Sequence, residues 1–144
     1  MAAHRYLRAV GLEAYGLDGL ELSEFQLLSG GLRVDASASL TSNIVPDISG
    51  VLANLQDDVL GTAARWSAAA VNGLVFQWDF GGTPAAVDDI RLAGDNLVRF
   101  LLIVKLQWSD DAEEWADART YSGITWPGAQ VKTESSVVET PVPG

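Results

Sequence analysis

A chain of 144 residues has room for one domain with a sizeable core, and 48% hydrophobic content with five tryptophans supplies the material for it. The absence of cysteine excludes disulfides, thiolate metal sites and cysteine nucleophiles together, and suits folding in a reducing cytosol. A formal charge of −10, from carboxylates scattered along the chain, argues against a nucleic-acid partner and reads as a solvated acidic surface. Residues 100–104 are apolar but closed by Arg99 and Lys105, so no membrane insertion is expected. The start, Met1-Ala2-Ala3-His4-Arg5, lacks the apolar stretch of a secretory signal, and signal-directed secretion is not expected either.

Residues 4–10 alternate, with Tyr6, Arg8 and Val10 on one side and Arg5, Leu7 and Ala9 on the other, which predicts a strand. Gly16, Asp18 and Gly19 mark a turn. Leu20 and Leu22, then Phe25 and Leu27, predict a second strand whose phase slips at Ser23-Glu24, the mark of a β-bulge. Together they read as a hairpin over residues 4–28. Val34, Ala36, Ala38 and Leu40 alternate with Asp35, Ser37, Ser39 and Thr41 and predict a half-buried strand. Pro46-Asp47 and Ser49-Gly50 mark loops, residues 51–55 carry one helical turn, and Asp57-Asp58 to Gly61-Thr62 reads as an irregular surface loop running into Trp66.

Between Trp66 and Trp115 three short strands end in distinctive words: Arg65-Trp66-Ser67, then Gln77-Trp78-Asp79-Phe80-Gly81, then Leu106-Gln107-Trp108-Ser109-Asp110-Asp111. In the second, Leu74, Phe76, Trp78 and Phe80 share one face; in the third, Val104, Leu106 and Trp108 do. Another strand is predicted around residues 87–92, a long one over 98–108, a polar hairpin turn at Asp110-Asp111 with Glu113-Glu114, and a last strand around 118–121. Residues 1–130 form the expected domain. Residues 131–144, rich in Thr, Ser, Glu, Val and Pro, read as an extended tail or linker. Many short strands, Gly/Pro turns and no long amphipathic helix predict an all-β sandwich.

The words resemble the discoidin family, also called coagulation-factor C-type or galactose-binding-like domains, whose fold is a jelly-roll β-sandwich. The resemblance rests on Ala53-Asn54-Leu55-Gln56-Asp57, Thr62, Trp66-Ser67, Trp78-Asp79-Phe80-Gly81, Val87 with Ile90-Arg91-Leu92, and Leu106 to Asp111 with Trp115, and it spans roughly residues 4–126. The order departs from the usual one. The Arg-Tyr-hydrophobic-Arg strand and its Glu-containing partner, which close most members, come first here as Arg5-Tyr6-Leu7-Arg8 and Leu22-Ser23-Glu24-Phe25. That is the order a circular permutation gives, and it is similar to modules of bacteriophage tail and virion proteins. The resemblance implies a non-enzymatic structural or adhesion module of a phage virion (tail, baseplate or fibre), made in the host cytoplasm. Its partners would be other virion proteins, with homo-oligomers in the particle, or host surface glycans displayed to its loops. The alternative is a bacterial carbohydrate-binding module of a larger glycan-active protein.

The resemblance also implies a structural calcium ion, with Asp57, Thr62 and Glu24 as the matching ligands; oxygen donors on a tight loop suit a hard cation. The family's glycine after the Asp is Asp58 here, and the loop before Trp66 is longer, so a loop held by hydrogen bonds alone stays open. Family ligands bind at the loops of one end, through an aromatic with polar neighbours. The corresponding parts are Trp126, Tyr121, Tyr15, Arg65 and Asn43, while Trp66, Trp78, Trp108 and Trp115 read as packing residues. No catalytic residue is expected. His4, the only histidine, reads as an exposed residue ahead of a strand, and the acidic turn does not flank a cleft as glycosidase carboxylates must.

Overall fold

The computed structural model describes residues 2–94, 98–126 and, for the backbone, 130–133. The chain is all-β, with antiparallel sheets and almost no helix. Its strands are β1 (Tyr6–Ala14), β2 (Leu20–Leu22), β3 (Glu24–Ser29), β4 (Leu32–Arg33), β5 (Ser39–Ser42), β6 (Ala64–Trp66), β7 (Phe76–Asp79), β8 (Asp89–Ala93), β9 (Leu101–Ser109), β10 (Ala116–Tyr121) and β11 (Gln130–Thr133). A 3-10 turn at Leu52–Leu55 matches the helical turn expected there. A four-residue helix α1 (Ala68–Val71) is capped by Ser67, whose hydroxyl accepts the Ala70 N–H at 3.2 Å. Among the described residues no helix is long and apolar enough to cross a membrane.

Five strands form one sheet in the order β10-β9-β1-β7-β5, and four form another in the order β11-β8-β3-β4. Strands β2 and β6 pair separately. The two large sheets meet through their apolar faces. Phe25 of β3 lies 5.9 Å from Phe76 and 5.1 Å from Trp78 of β7, ring centre to ring centre, and Trp66 of β6 packs 5.2 Å from Phe76. These rings and Leu7, Leu20, Leu22 and Ile90 are fully buried. Burial contributes roughly 1.5–3 kcal/mol for each large apolar side chain. The alternation read in β7 and β9 holds: Phe76, Trp78, Val104, Leu106 and Trp108 are buried, and Gln77, Lys105 and Gln107 lie on the outer side.

Three local expectations are corrected. The hairpin over residues 4–28 does not form, because β1 pairs with β7 and β9 while β3 pairs with β4 and β8. Leu7 and Ala9 of one sheet and Phe25 and Leu27 of the other enter one core from opposite sides. The phase slip at Ser23-Glu24 is a change of partner, from β6 to β8, and the Ser23 N–H donates to the Ala93 carbonyl at 2.7 Å. The strand over residues 34–40 is interrupted, since Asp35 turns inward. Its carboxylate, 0% exposed, accepts from the Leu27 N–H at 3.0 Å and from Arg33 at 2.7 and 3.1 Å, leaving only β4 and β5 as strands.

The turn between β1 and β2 depends on Gly19. Its φ is +90°, and a Cβ there would lie 2.0 Å from the Trp66 carbonyl oxygen. The acidic turn between β9 and β10 is as expected: Asp111 accepts the N–H groups of Glu113 and Glu114 at 2.9 and 3.0 Å and the Ser109 hydroxyl at 2.9 Å. The expected domain boundary at residue 130 falls at the first residue of β11, which pairs with β8 through Gln130–Thr133. Residues 134–144, the rest of the expected tail, lie outside the described residues.

Candidate functional site

The outward side chains of β3 would normally face solvent, yet Glu24 and Gln26 are 1% and 2% exposed. The segment 56–62 folds over them. Asp57 begins the cover: its carboxylate accepts the Val59 N–H at 2.9 Å and a hydrogen bond from the Thr62 hydroxyl. Asp58 follows with φ of +57°, a left-handed conformation at the position where the discoidin-like pattern has glycine. The Val59 N–H also approaches Glu24 Oε1 at 3.3 Å. Gln26 Nε2 donates to Glu24 Oε2 and to Asp58 Oδ1, both at 3.1 Å, and Gln26 Oε1 accepts from Arg91 Nε at 2.7 Å. A pocket of about 190 Å³ remains between Glu24, Gln26, Asp58, Leu60, Arg91 and Ala93.

Burial pushes the Glu24 carboxyl up to about 7, helped by its hydrogen bond with Asp57 and opposed by Gln26. Burial works the same way on Asp57, but hydrogen bonds from Thr62, Glu24 and Val59 outweigh it and hold Asp57 below the usual range. The two opposite shifts favour a proton on Glu24 over one on Asp57. Glu24, Asp57 and Thr62, the three residues implied as calcium ligands, are thus brought together, which neither their separation in sequence nor any local pattern requires. The donor set, two carboxylates and a hydroxyl, fits a hard cation, and the carboxyl pair held by a proton is the place where its charge would be useful. Such an ion would clip the 56–62 segment to β3. Among the described residues no three His, Asp or Glu side chains form a metal-holding group.

The five residues expected to bind a ligand do not form one cluster of free side chains. Asn43 braces the backbone, donating to the Gly73 carbonyl at 2.8 Å and accepting the Val75 N–H at 2.7 Å. Tyr121 is buried, with the Arg119 guanidinium 5.7 Å from its ring centre. Trp126 caps the core against Phe100 and Gly94, and its Nε1 donates to the Leu101 carbonyl at 2.7 Å. Arg65 lies in β6 opposite Glu21. Tyr15 is exposed, as is Asn43, and stacks on Phe100 at 4.7 Å. His4 is buried instead of exposed: it stacks on Trp108 at 3.7 Å, its Nδ1 lies 3.1 Å from Asp110, and its backbone pairs with Ala85.

Sequence reading found two loops here but not the exposed apolar groups they carry. Val45, Ile48 and Val51 lie on one loop, Val59 and Leu60 on the other, and both are tied to the stretch around Ala63. Gly50 makes that join, at φ +78° with a would-be Cβ 1.9 Å from the Ala63 carbonyl oxygen, while Asn54 Nδ2 donates to the same oxygen at 2.9 Å. The signal was present as valines and leucines among Pro, Asp and Gly, residues that a loop facing only water does not need.

Comparison with family models, with curated proteins and with solved structures finds no match to this chain.

Proposed function

We propose that the chain is a non-enzymatic structural module of a phage virion, a discoidin-like jelly roll in permuted order that docks to neighbouring virion proteins. The observation that carries the docking role is the set of exposed apolar side chains on two braced loops, Val45, Ile48, Val51, Val59 and Leu60, on an otherwise acidic chain. Loops so placed, one held by the Gly50 approach and the other by the Glu24–Asp57 contact, hold their apolar side chains pre-organised, and pre-organisation lowers the ordering cost of association. The permuted order is supported by β1: the first strand of the chain lies in the middle of the five-stranded sheet, paired on both sides with later strands. The phage particle itself comes from the resemblance of the Arg5-Tyr6-Leu7-Arg8 opening and the words that follow it. Replacing Val45, Ile48, Val59 and Leu60 together by serine alters positions at least 47% exposed, and a thermal melt checks that the variant stays folded. Particles assembled with this variant are expected to lose the protein, whereas incorporation equal to the unaltered chain overturns the docking role.

A further inference from the structure

The outward face of the five-stranded sheet carries an ordered row. Asp117 lies opposite Gln107, Gln107 opposite Arg8, Arg8 opposite Gln77, and Gln77 opposite Thr41, so one polar side chain from every strand stands in register. Arg8 is at its centre, on the middle strand. Its Nε donates to Gln107 Oε1 at 2.7 Å, and Gln107 Nε2 passes the contact on to Asp117 at 2.8 Å. The Arg8 guanidinium lies 4.2 Å from the Trp115 ring centre, and the Tyr6 ring stands edge-on to Trp115 at 6.5 Å.

The described cations divide in charge pairing, and Arg8 falls with Arg65, Arg91 and Arg119, none of which has a carboxylate ion pair among the described residues. Arg5 is bonded to Asp79, Lys105 to Asp117, Arg33 to Asp35 and Arg99 to Glu21. Among the described residues Arg8 has no carboxylate partner, and its terminal nitrogens make no hydrogen bond. Burial alone acts on its pKa, lowering it. The Arg8 guanidinium is half-buried, and its terminal nitrogens stay open to a carboxylate brought by a ligand. Beside it the Gln77 amide and the Thr41 hydroxyl also make no side-chain hydrogen bond among the described residues.

We propose that this face binds a carboxylate-bearing oligosaccharide, with the sugar carboxylate on Arg8. The planar guanidinium fork takes a carboxylate through two parallel hydrogen bonds. Gln77 and Thr41 hydrogen-bond hydroxyls, and the C–H face of a sugar ring packs on the Tyr6 and Trp115 rings. Strand spacing of about 4.8 Å puts Thr41 about 10 Å across the sheet from Arg8, a reach beyond one sugar ring. Phosphate polymers fit less well, since the row itself holds one cation, flanked by amides and an aromatic, and one cation does not neutralise a run of phosphates. This site is separate from the apolar docking loops and goes beyond the proposed docking role.

The test is amide-shift mapping by NMR with trigalacturonic acid, 3′-sialyllactose and the methyl esters of both. The expected result is perturbation centred on Arg8, Gln77, Gln107 and Trp115 by at least one acid. Its ester binds at least about tenfold more weakly, as does Arg8→Gln with the acid, hydrogen bonds to charged groups contributing on that scale. The proposal is overturned if neither acid perturbs the row, if acid and ester bind alike, if Arg8→Gln binds as the unaltered chain does, or if inorganic phosphate at equal concentration displaces the sugar. Should Arg8→Gln fail to fold, the double variant Gln77→Ala/Thr41→Val, at outward positions, replaces it with the same expectation. Particle incorporation is expected to survive Arg8→Gln, which separates failure of this site from failure of the docking role.

Discussion

Glutamate 24 gives the fold an unusual pH dependence, and Glu24→Gln isolates it. The folded chain holds the Glu24 proton up to about pH 7, against an ordinary value of 4.5. Because the folded state binds this proton more tightly than the unfolded state, the contribution is complete below about pH 4.5 and is lost as pH rises toward 7. At about 1.4 kcal/mol per pH unit the gap corresponds to at most roughly 3 kcal/mol. The amide of the variant keeps the acceptor for the Val59 N–H and cannot titrate, while its NH2 group no longer accepts from Gln26 Nε2, a loss that is the same at every pH. Thermal melts of both proteins from pH 5 to pH 8 therefore diverge, with the unaltered chain losing stability relative to Glu24→Gln as pH rises. The expected difference in Tm is at most roughly 6–12 °C for a domain of this size. Asp47, Asp57, Asp79, Asp111 and Asp117 are all held below the usual carboxylate range, so their own losses of stability come at lower pH. Curves that stay parallel between pH 5 and 8 refute the buried, shared proton.

Calcium competes with that proton, since both carboxylates must ionise to take up the ion. Added calcium is expected to raise the Tm of the unaltered chain at pH 8, to do little at pH 5, and to do nothing for Glu24→Gln; no shift at pH 8 removes Glu24, Asp57 and Thr62 as ligands. Asp35→Ala leaves Arg33 unpaired beside a buried cavity and is expected to cost about 3–5 kcal/mol in urea unfolding, with a loss under about 1 kcal/mol contradicting the inward role of Asp35. Gly19→Ala puts a methyl group into the Trp66 carbonyl at a left-handed φ, and a loss above about 1 kcal/mol is expected in the same assay.

Much of the strand content was legible because a buried face on one side of a strand writes a period of two, as in Phe76 and Trp78 or Val104, Leu106 and Trp108. The same period misled at residues 34–40, where Asp35 occupies the polar phase yet is buried by Arg33 and the Leu27 N–H. Strand partners were not legible. β1 pairs with residues about a hundred positions away as well as with β7, and nothing local in Leu7 or Ala9 names a partner. The candidate cation site came from the resemblance, but Gln26, Asp58 and Arg91 were missed because their part depends on one loop folding over a sheet face. The Arg8 row is a property of register alone, so no reading along the chain reaches it.

The central claim is that this sandwich is built into a particle through its apolar loops, and cryo-electron microscopy of the assembled virion tests it most directly. The account predicts density for the sandwich with residues 45–60 buried against a neighbouring subunit. Particles that lack the protein, or hold it with those loops in solvent, contradict it.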